Sequence, residues 1–347
     1  MRSSFSNADC IYLLKDLTGI IKFTSFAEKE KNITKGISYC EMITEEEPVS
    51  DEVIHIFGNM LNNKADELAR YTGIVAKQIF ARGRENAIIV SLARAGSPIG
   101  ALIKRYIRFK YHVNIPHYSI SIIRGRGIDT NALNYIMNKH PQGIITFVDG
   151  WTGKGSITFE LKKAIAEYNT STGNNISSDL AVLADPARLS AIAGTRNDIC
   201  IPNACLNSTI SGLVSRTILN RDFIGENDFH GAIKYEHLSE QDVTNLFLTS
   251  VENHFVDDCG NCESIGTSCV KVLTEKLRND FPVADINKVK LSIGESSRAL
   301  LRRIPYLVLV KNMENPDLSF VLHLAKKKGV EVCIYNTMDY ECITLLK

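Results

Sequence analysis

The sequence is poor in net charge, in long apolar runs and in regularly spaced cysteines. Lys and Arg number 40 against 39 Asp and Glu, a net charge of +1. That balance excludes a wholly basic nucleic-acid coat and an acidic disordered tail, so any charged function is local. The strongest apolar stretches, 144–148 and 307–310, fall far short of the about 20 residues that cross a bilayer, and no membrane span is expected. Met1-Arg2-Ser3-Ser4 leads into mixed polar residues without the apolar core of a secretory leader, so the expected location is cytoplasmic. Nine cysteines at irregular intervals do not form a disulfide framework, and most are expected as reduced thiols. Cys259, Cys262 and Cys269 are the one metal-like group, but a second pair at zinc-knuckle spacing is missing and free loop thiols are the simpler expectation. His112, His117, His230, His237 and His254 lack the two-on-one-face spacing of a helical metal site.

What is present suffices for a core: 44% of the 347 residues are hydrophobic and 23% charged, and the length suits two domains of about 150 residues each. Residues 1–50 mix short apolar pieces with the acidic run Glu45-Glu46-Glu47 and read as an N-terminal extension packed on the main domain. From Asp51 to about Arg82 apolar residues recur at helical spacing (Ile56, Met60, Leu61, Leu68, Ile74, Val75, Ile79), which predicts one or two helices. β-branched runs at 87–92, 118–123, 143–148 and 180–183 then alternate with helical patterns. The prediction for residues 51–238 is a parallel sheet flanked by crossover helices. Residues 239–285 loosen into two helices, 239–253 and 269–278, and read as a helical linker. Residues 286–347 form a small α/β domain with helix 296–303, strand 306–310, helix 319–328 and strand 331–335. That piece holds 10 Lys and Arg against six acids, so the basic character gathers at the C-terminus.

The most informative segment is 144–156, an apolar strand ending in Asp149 and followed by Gly150-Trp151-Thr152-Gly153-Lys154-Gly155-Ser156 at the start of a helix. Glycines let backbone N–H groups converge on an anion, the helix N-terminus adds partial positive charge, and Thr152, Lys154 and Ser156 can donate. The alternative is a tight turn that binds nothing. The loop lacks the Walker spacing, because Gly155 follows Lys154. A second strand-to-helix turn, Leu92-Ala93-Arg94-Ala95-Gly96, offers amides and an arginine to an anion, or is an ordinary connection. Between them Arg124-Gly125-Arg126-Gly127 is a basic flexible loop or a solvated turn. Asp185-Pro186 ends the strand at 180–183, a position suited to an acceptor or to a plain turn.

Segment 144–156 resembles the signature of type I phosphoribosyltransferases, with Gly150 where that family carries a second acid. The resemblance implies that Thr152, Gly153, Gly155 and Ser156 hold a 5′-phosphate, with Gly150 and Lys154 in the same loop. It further implies Arg94, Ala95 and Gly96 on the pyrophosphate, Arg124 and Arg126 on a closing loop, and Asp149 beside the ribose and a Mg²⁺ ion. The whole chain is similar to phosphoribosyltransferase-like proteins of bacterial tellurite-resistance and stress operons, which join such a domain to a Pelota-like RNA-binding domain. That likeness rests on residues 13–19, 90–105, 147–156, 183–187 and 205–217. The C-terminal domain resembles the RNA-binding core of Pelota and of kink-turn-binding ribosomal proteins, which implies Gly294, Glu295 and Arg298 on a structured RNA.

The expected activity is therefore transfer of phosphoribose from phosphoribosyl pyrophosphate, with Mg²⁺, to an unknown acceptor, in a chain that can pair as a homodimer. Two alternatives stand beside it. One is a non-catalytic nucleotide sensor or RNA-binding regulator, favoured by Gly150. The other is a cysteine hydrolase with Cys205 or Cys40 as nucleophile and one of the five histidines as base.

Overall fold

The computed structural model describes residues 1–282 and 285–346. Val283, Ala284 and Lys347, within the ranges expected for the linker and the C-terminal domain, lie outside the described residues. The main sheet has six parallel strands: β1 (Ile11–Tyr12), β2 (Ala87–Leu92), β3 (His117–Ile120), β4 (Ile144–Val148), β5 (Leu180–Ala184) and β6 (Ile192–Thr195). Their spatial order is β1-β3-β2-β4-β5-β6. All six residues of β2 are buried, as a central parallel strand covered on both faces requires. The expected parallel sheet with flanking helices is therefore present, and the residues taken as an extension supply its edge strand β1.

After a short helix α1 (Phe26–Thr34), a single helix α2 (Asp51–Gly83) occupies the region where one or two were expected. Its 33 residues span about 50 Å at about 1.5 Å per residue. Asp51 and Glu52 favour its N-terminus electrostatically, and the buried stripe Phe57, Leu61, Leu68, Val75 and Ile79 lays it against the sheet. It ends where Arg84 turns to φ 48° and returns its N–H to Phe80 O. Helices α3 (Gly96–Tyr111), α4 (Thr130–Lys139) and α5 (Ser156–Thr172) follow β2, the hairpin described next, and β4.

The run 118–123 does not form one strand. The chain leaves the sheet at Ser121, whose carbonyl accepts from Asp129 N–H at 3.0 Å and whose hydroxyl meets His230 Nδ1 at 2.8 Å. Ile122–Ile123 then pairs antiparallel with Gly127–Ile128, giving a hairpin with Arg124 and Arg126 at its tip. Glu160 of α5 fixes that tip by accepting the N–H groups of Gly125 and Gly127 at 2.9 and 3.0 Å.

In the linker, α6 (Thr244–Glu252) is shorter than expected, and α7 (Val270–Asp280) leads to the C-terminal domain. There β7 (Val289–Leu291), β8 (Leu307–Val310), β9 (Glu331–Ile334) and β10 (Cys342–Leu345) form a mixed sheet in the order β7-β10-β8-β9. Helices α8 (Ile293–Arg302) and α9 (Ser319–Lys327) pack on each other and against it. Helix α8 begins three residues before the expected 296. Gly294 lies in the first turn of α8, where a Cβ would run into the Trp151 indole, and Ser292 caps the helix by accepting Glu295 N–H.

Two buried acids, one from each domain, hold the two domains together. Asp317 of the C-terminal domain accepts Cys200 N–H at 2.9 Å and pairs with Lys64 of α2 at 2.6 Å. Asp198, after β6, accepts Ile293 N–H at 3.0 Å and Glu341 N–H at 3.0 Å, so a carboxylate sits on the N-terminus of α8. Burial pushes the Asp198 carboxyl up to about 7, outweighing three backbone donors. An acid with a raised folded pKa binds more protons folded than unfolded between its ordinary 3.8 and about 7, so its cost falls as pH is lowered. Asp198→Asn removes that titration. The melting temperature of the natural chain relative to the variant should rise as pH falls through about 7 towards 5; a flat difference would contradict the assignment.

Candidate functional site

Loop 149–156 leaves the carboxyl end of β4 and enters α5, with Gly155 at φ 86° in the N-cap position, a conformation glycine adopts without strain. Its polar groups are largely engaged by protein. Thr152 Oγ1 donates to Asp185, Gly153 O accepts from Tyr340 Oη at 2.7 Å, and Lys154 Nζ donates to Val289 O at 2.9 Å and to Ile286 O. A Cβ on Gly153 would overlap the Glu295 side chain. Desolvation in this contact pushes Lys154 down to about 8, assisted by Lys290. The loop is thus a docking surface for the second domain.

Asp185 is fully buried, paired with Arg196, and accepts Leu189 N–H and Ser190 N–H at 3.1 Å each. It organises the turn after β5 and does not line a cavity with the loop. Gly96 opens α3 against the Val148 carbonyl, where a Cβ has no room. Arg94 donates to Glu46 Oε2 at 3.1 Å and to Val214 O at 2.9 Å. Arg124 is exposed and bonds Asn287; Arg126 is exposed and pairs with Glu41 at 3.4 Å.

Between the domains lies a cleft of about 670 Å³. Arg94, Ala95, Arg124, Asp149, Thr152, Gly153, Gly155 and Ser156 line it, whereas Gly96, Gly150, Lys154, Asp185 and Arg126 do not. Burial pushes Asp149 up to about 6, against the opposing pull of the Gly150 amide and Arg298. Among the described residues no group of three or more His, Cys, Asp or Glu side chains could hold a metal. Asp149 is the lone carboxylate of the loop, and Asp285 and Glu295 line the same cleft. The cysteines of the metal-like group also diverge: Cys259 meets Tyr106 Oη at 3.5 Å, whereas Cys269 faces Asp339.

The residues expected on RNA face inward. Gly294 abuts Trp151, Glu295 abuts Gly153, and the Arg298 guanidinium stands 5.5 Å over the Trp151 ring. Arg298 also reaches Asn207 Oδ1 and Asn203 O at 3.5 Å.

No histidine or cysteine lines that cleft. Cys205 Sγ lies 3.9 Å from Met60 Sδ, and Cys40 Sγ lies 3.1 Å from Ser38 Oγ. Neither thiol has an imidazole in its described hydrogen bonds. The pairing that does form is Cys10 with His117, at 3.8 Å from Sγ to Nε2. His117 Nδ1 stands 2.6 Å from Asp9 O, a pure acceptor, so Nδ1 carries the proton and Nε2 presents its lone pair. That lone pair faces Ser91 Oγ at 2.8 Å as well as the thiol. Local sequence signals do not reveal the pair: Cys10 precedes β1 and His117 opens β3, and only the register Ile11↔Tyr118 brings them side by side.

The model of the family described as tellurite-like stress resistance cysteine protease StiP matches residues 3–252. The chain belongs to that family. The PELOTA RNA binding domain model matches residues 269–347. A protein of Acinetobacter baylyi named cysteine protease StiP is 31% identical over 363 aligned positions, covering 99% of this chain and 94% of that protein. The stress-resistance family and the Pelota-like domain expected from the whole-chain resemblance are both present. Phosphoribosyl transfer is corrected: the matching family and relative are described as cysteine proteases, and Thr152, Gly153 and Lys154 are committed to protein contacts. No helix among the described residues is long and apolar enough to cross a membrane.

The Cys10–His117 contact depends on Gly100 of α3, because a Cβ there would overlap both the His117 ring and Ser91 Oγ. Gly100→Ala should destabilise the StiP-family fold by about 1–3 kcal/mol through overpacking. Denaturant unfolding checks this, and an unchanged midpoint would show that the cluster yields freely.

Proposed function

We propose that this chain is a cysteine-dependent hydrolase acting on polypeptides, with Cys10 as nucleophile and His117 as its base. The observation that supports the reading is the Cys10–His117 contact, with His117 held by Asp9 O in the tautomer that accepts a proton at Nε2. The name of the Acinetobacter baylyi relative supports the same class.

In the conformation described the pair is at rest. Burial pushes the Cys10 thiol up and His117 down to about 3, so both groups are neutral, while the reactive form of a cysteine is the thiolate. Cys10 is covered within a cluster that contains Phe5 and Tyr12, and its neighbour Asp9 is tied to Arg105 by two bonds of 2.8 and 2.7 Å. Displacing the N-terminal residues would admit water and substrate and lower the cost of charge separation. The thiol proton then passes to His117 Nε2 and the sulfur attacks the peptide carbonyl. His117 returns the proton to the departing amine, leaving a thioester. Water, deprotonated by His117, cleaves that thioester and restores the thiol.

Hydrolysis of dye-labelled casein under reducing conditions tests the reading. Cys10→Ala and His117→Ala, each confirmed as folded by its melting transition, should lose at least about 100-fold in rate, while Cys40→Ala and Cys205→Ala should retain it. Natural-level turnover by folded Cys10→Ala, or no turnover by the natural chain, would overturn the assignment.

A further inference from the structure

A buried thiol ionises only where positive charge stands beside it, and helix α3 carries a cation towards Cys10. Gly100 of α3 faces the pair, since a Cβ on it would overlap His117 Nε2. Lys104 lies one turn further along the same helix face, and helical side chains lean back over the preceding turn. The next residue, Arg105, reaches Asp9, the chain neighbour of Cys10, through two bonds of 2.8 and 2.7 Å. This stretch of α3 thus lies against the thiol and the imidazole together. Lys104 is only 7% exposed, yet among the described residues it enters no hydrogen bond or ion pair. Lysine is rarely buried to that degree unless paired. The acids near it are committed elsewhere: Asp9 is held by Arg105, and Glu252 of α6 is shared by Arg105 and Arg108. Burial pulls Lys104 below its ordinary value, while Asp9 and Cys10 pull it back up and Arg108 opposes them. The same ammonium works against the burial that raises Cys10, and it adds to the burial that lowers His117. Both effects favour loss of a proton, so an unprotonated His117 faces an ionising thiol further into the acid range.

We infer that Lys104 is a positioning residue of the proposed hydrolase, its buried ammonium serving as the counter-charge for the Cys10 thiolate. The inference rests on Cys10 as the nucleophile and adds the group that supports negative charge on the sulfur. Arg105 and Arg108 on the same helix are already neutralised by Asp9 and Glu252, whereas Lys104 acquires its partner only when the thiol ionises.

Iodoacetamide alkylation of the full chain, quantified by mass spectrometry at Cys10 and at Cys205 across pH, reads this effect without requiring turnover. Cys205 is as deeply buried and meets Met60, so its rate reports opening of the fold in the same molecules. In Lys104→Met, confirmed as folded by its melting transition, the ratio of Cys10 to Cys205 alkylation at neutral pH should fall about tenfold, and the pH of half-maximal Cys10 alkylation should move up by about one unit. Lys104→Arg keeps the charge and should restore the ratio, while Arg108→Gln removes an exposed cation from the same helix and should leave it unaltered. Where Lys104→Met fails to fold, Lys104→Gln takes its place. Casein hydrolysis is followed in parallel, and the acid limb of kcat/KM should move up in Lys104→Met with KM unchanged. An unaltered alkylation ratio in Lys104→Met, or an equal loss in Lys104→Arg, would overturn the role of Lys104 whatever the hydrolysis result. Shifted alkylation without casein turnover by the natural chain would overturn the hydrolase reading and leave the effect of Lys104 on the thiol standing.

Discussion

The contact on which the rest of the molecule depends is the docking of the first turn of α8 onto loop 149–156. Gly294 gives the Trp151 indole room, Glu295 fills the space beside Gly153, and the Arg298 guanidinium lies over the same ring. Asp198 holds the amide end of the helix, and Lys154 and Tyr340 tie the loop to the second domain from either side. Asp198, Lys154 and the Tyr340 hydroxyl would each cost free energy if buried alone, and each is satisfied by a partner across the boundary. The two domains therefore behave as one packed unit along this seam.

That seam changes the meaning of the residues that compose it. A glycine-rich strand-to-helix loop has exposed amides and a favourable dipole, which makes it an anion site when solvent covers it. Here protein covers much of it, and its lysine and threonine serve carbonyls and a carboxylate instead. A glycine, an acid and an arginine on a Pelota-like helix suit a bent RNA, yet here they meet Trp151, Gly153 and Asn207.

The thiol–imidazole pair belongs to a different part of the sheet and obeys a different constraint. Parallel pairing of β1 with β3 sets Cys10 beside His117, and the missing side chain of Gly100 leaves the space they occupy. Cys40 and Cys205, the thiols that sequence reasoning singled out, meet a serine and a methionine, and among the described residues neither has an imidazole in its hydrogen bonds. Catalytic pairing of this kind has no local signature, because the two residues are about a hundred positions apart.

The amino-acid sequence by itself determined the layered α/β architecture, because β-branched runs and helical periodicity are local: 87–92, 144–148 and 180–184 are strands, and 51–83 and 156–172 are helices. It also determined the second, basic α/β domain and the position of the glycine loop at a strand's carboxyl end. Only the tertiary structure decided that the run 118–123 breaks at Ser121, that Gly294 packs against an indole, and that the loop and α8 face each other. The reason is that these outcomes rest on partners distant in the chain, Asp129 and His230 for the break, Trp151 for Gly294, and Asp198 for α8. Periodicity and turn chemistry report which groups a segment exposes; what those groups meet is settled by packing.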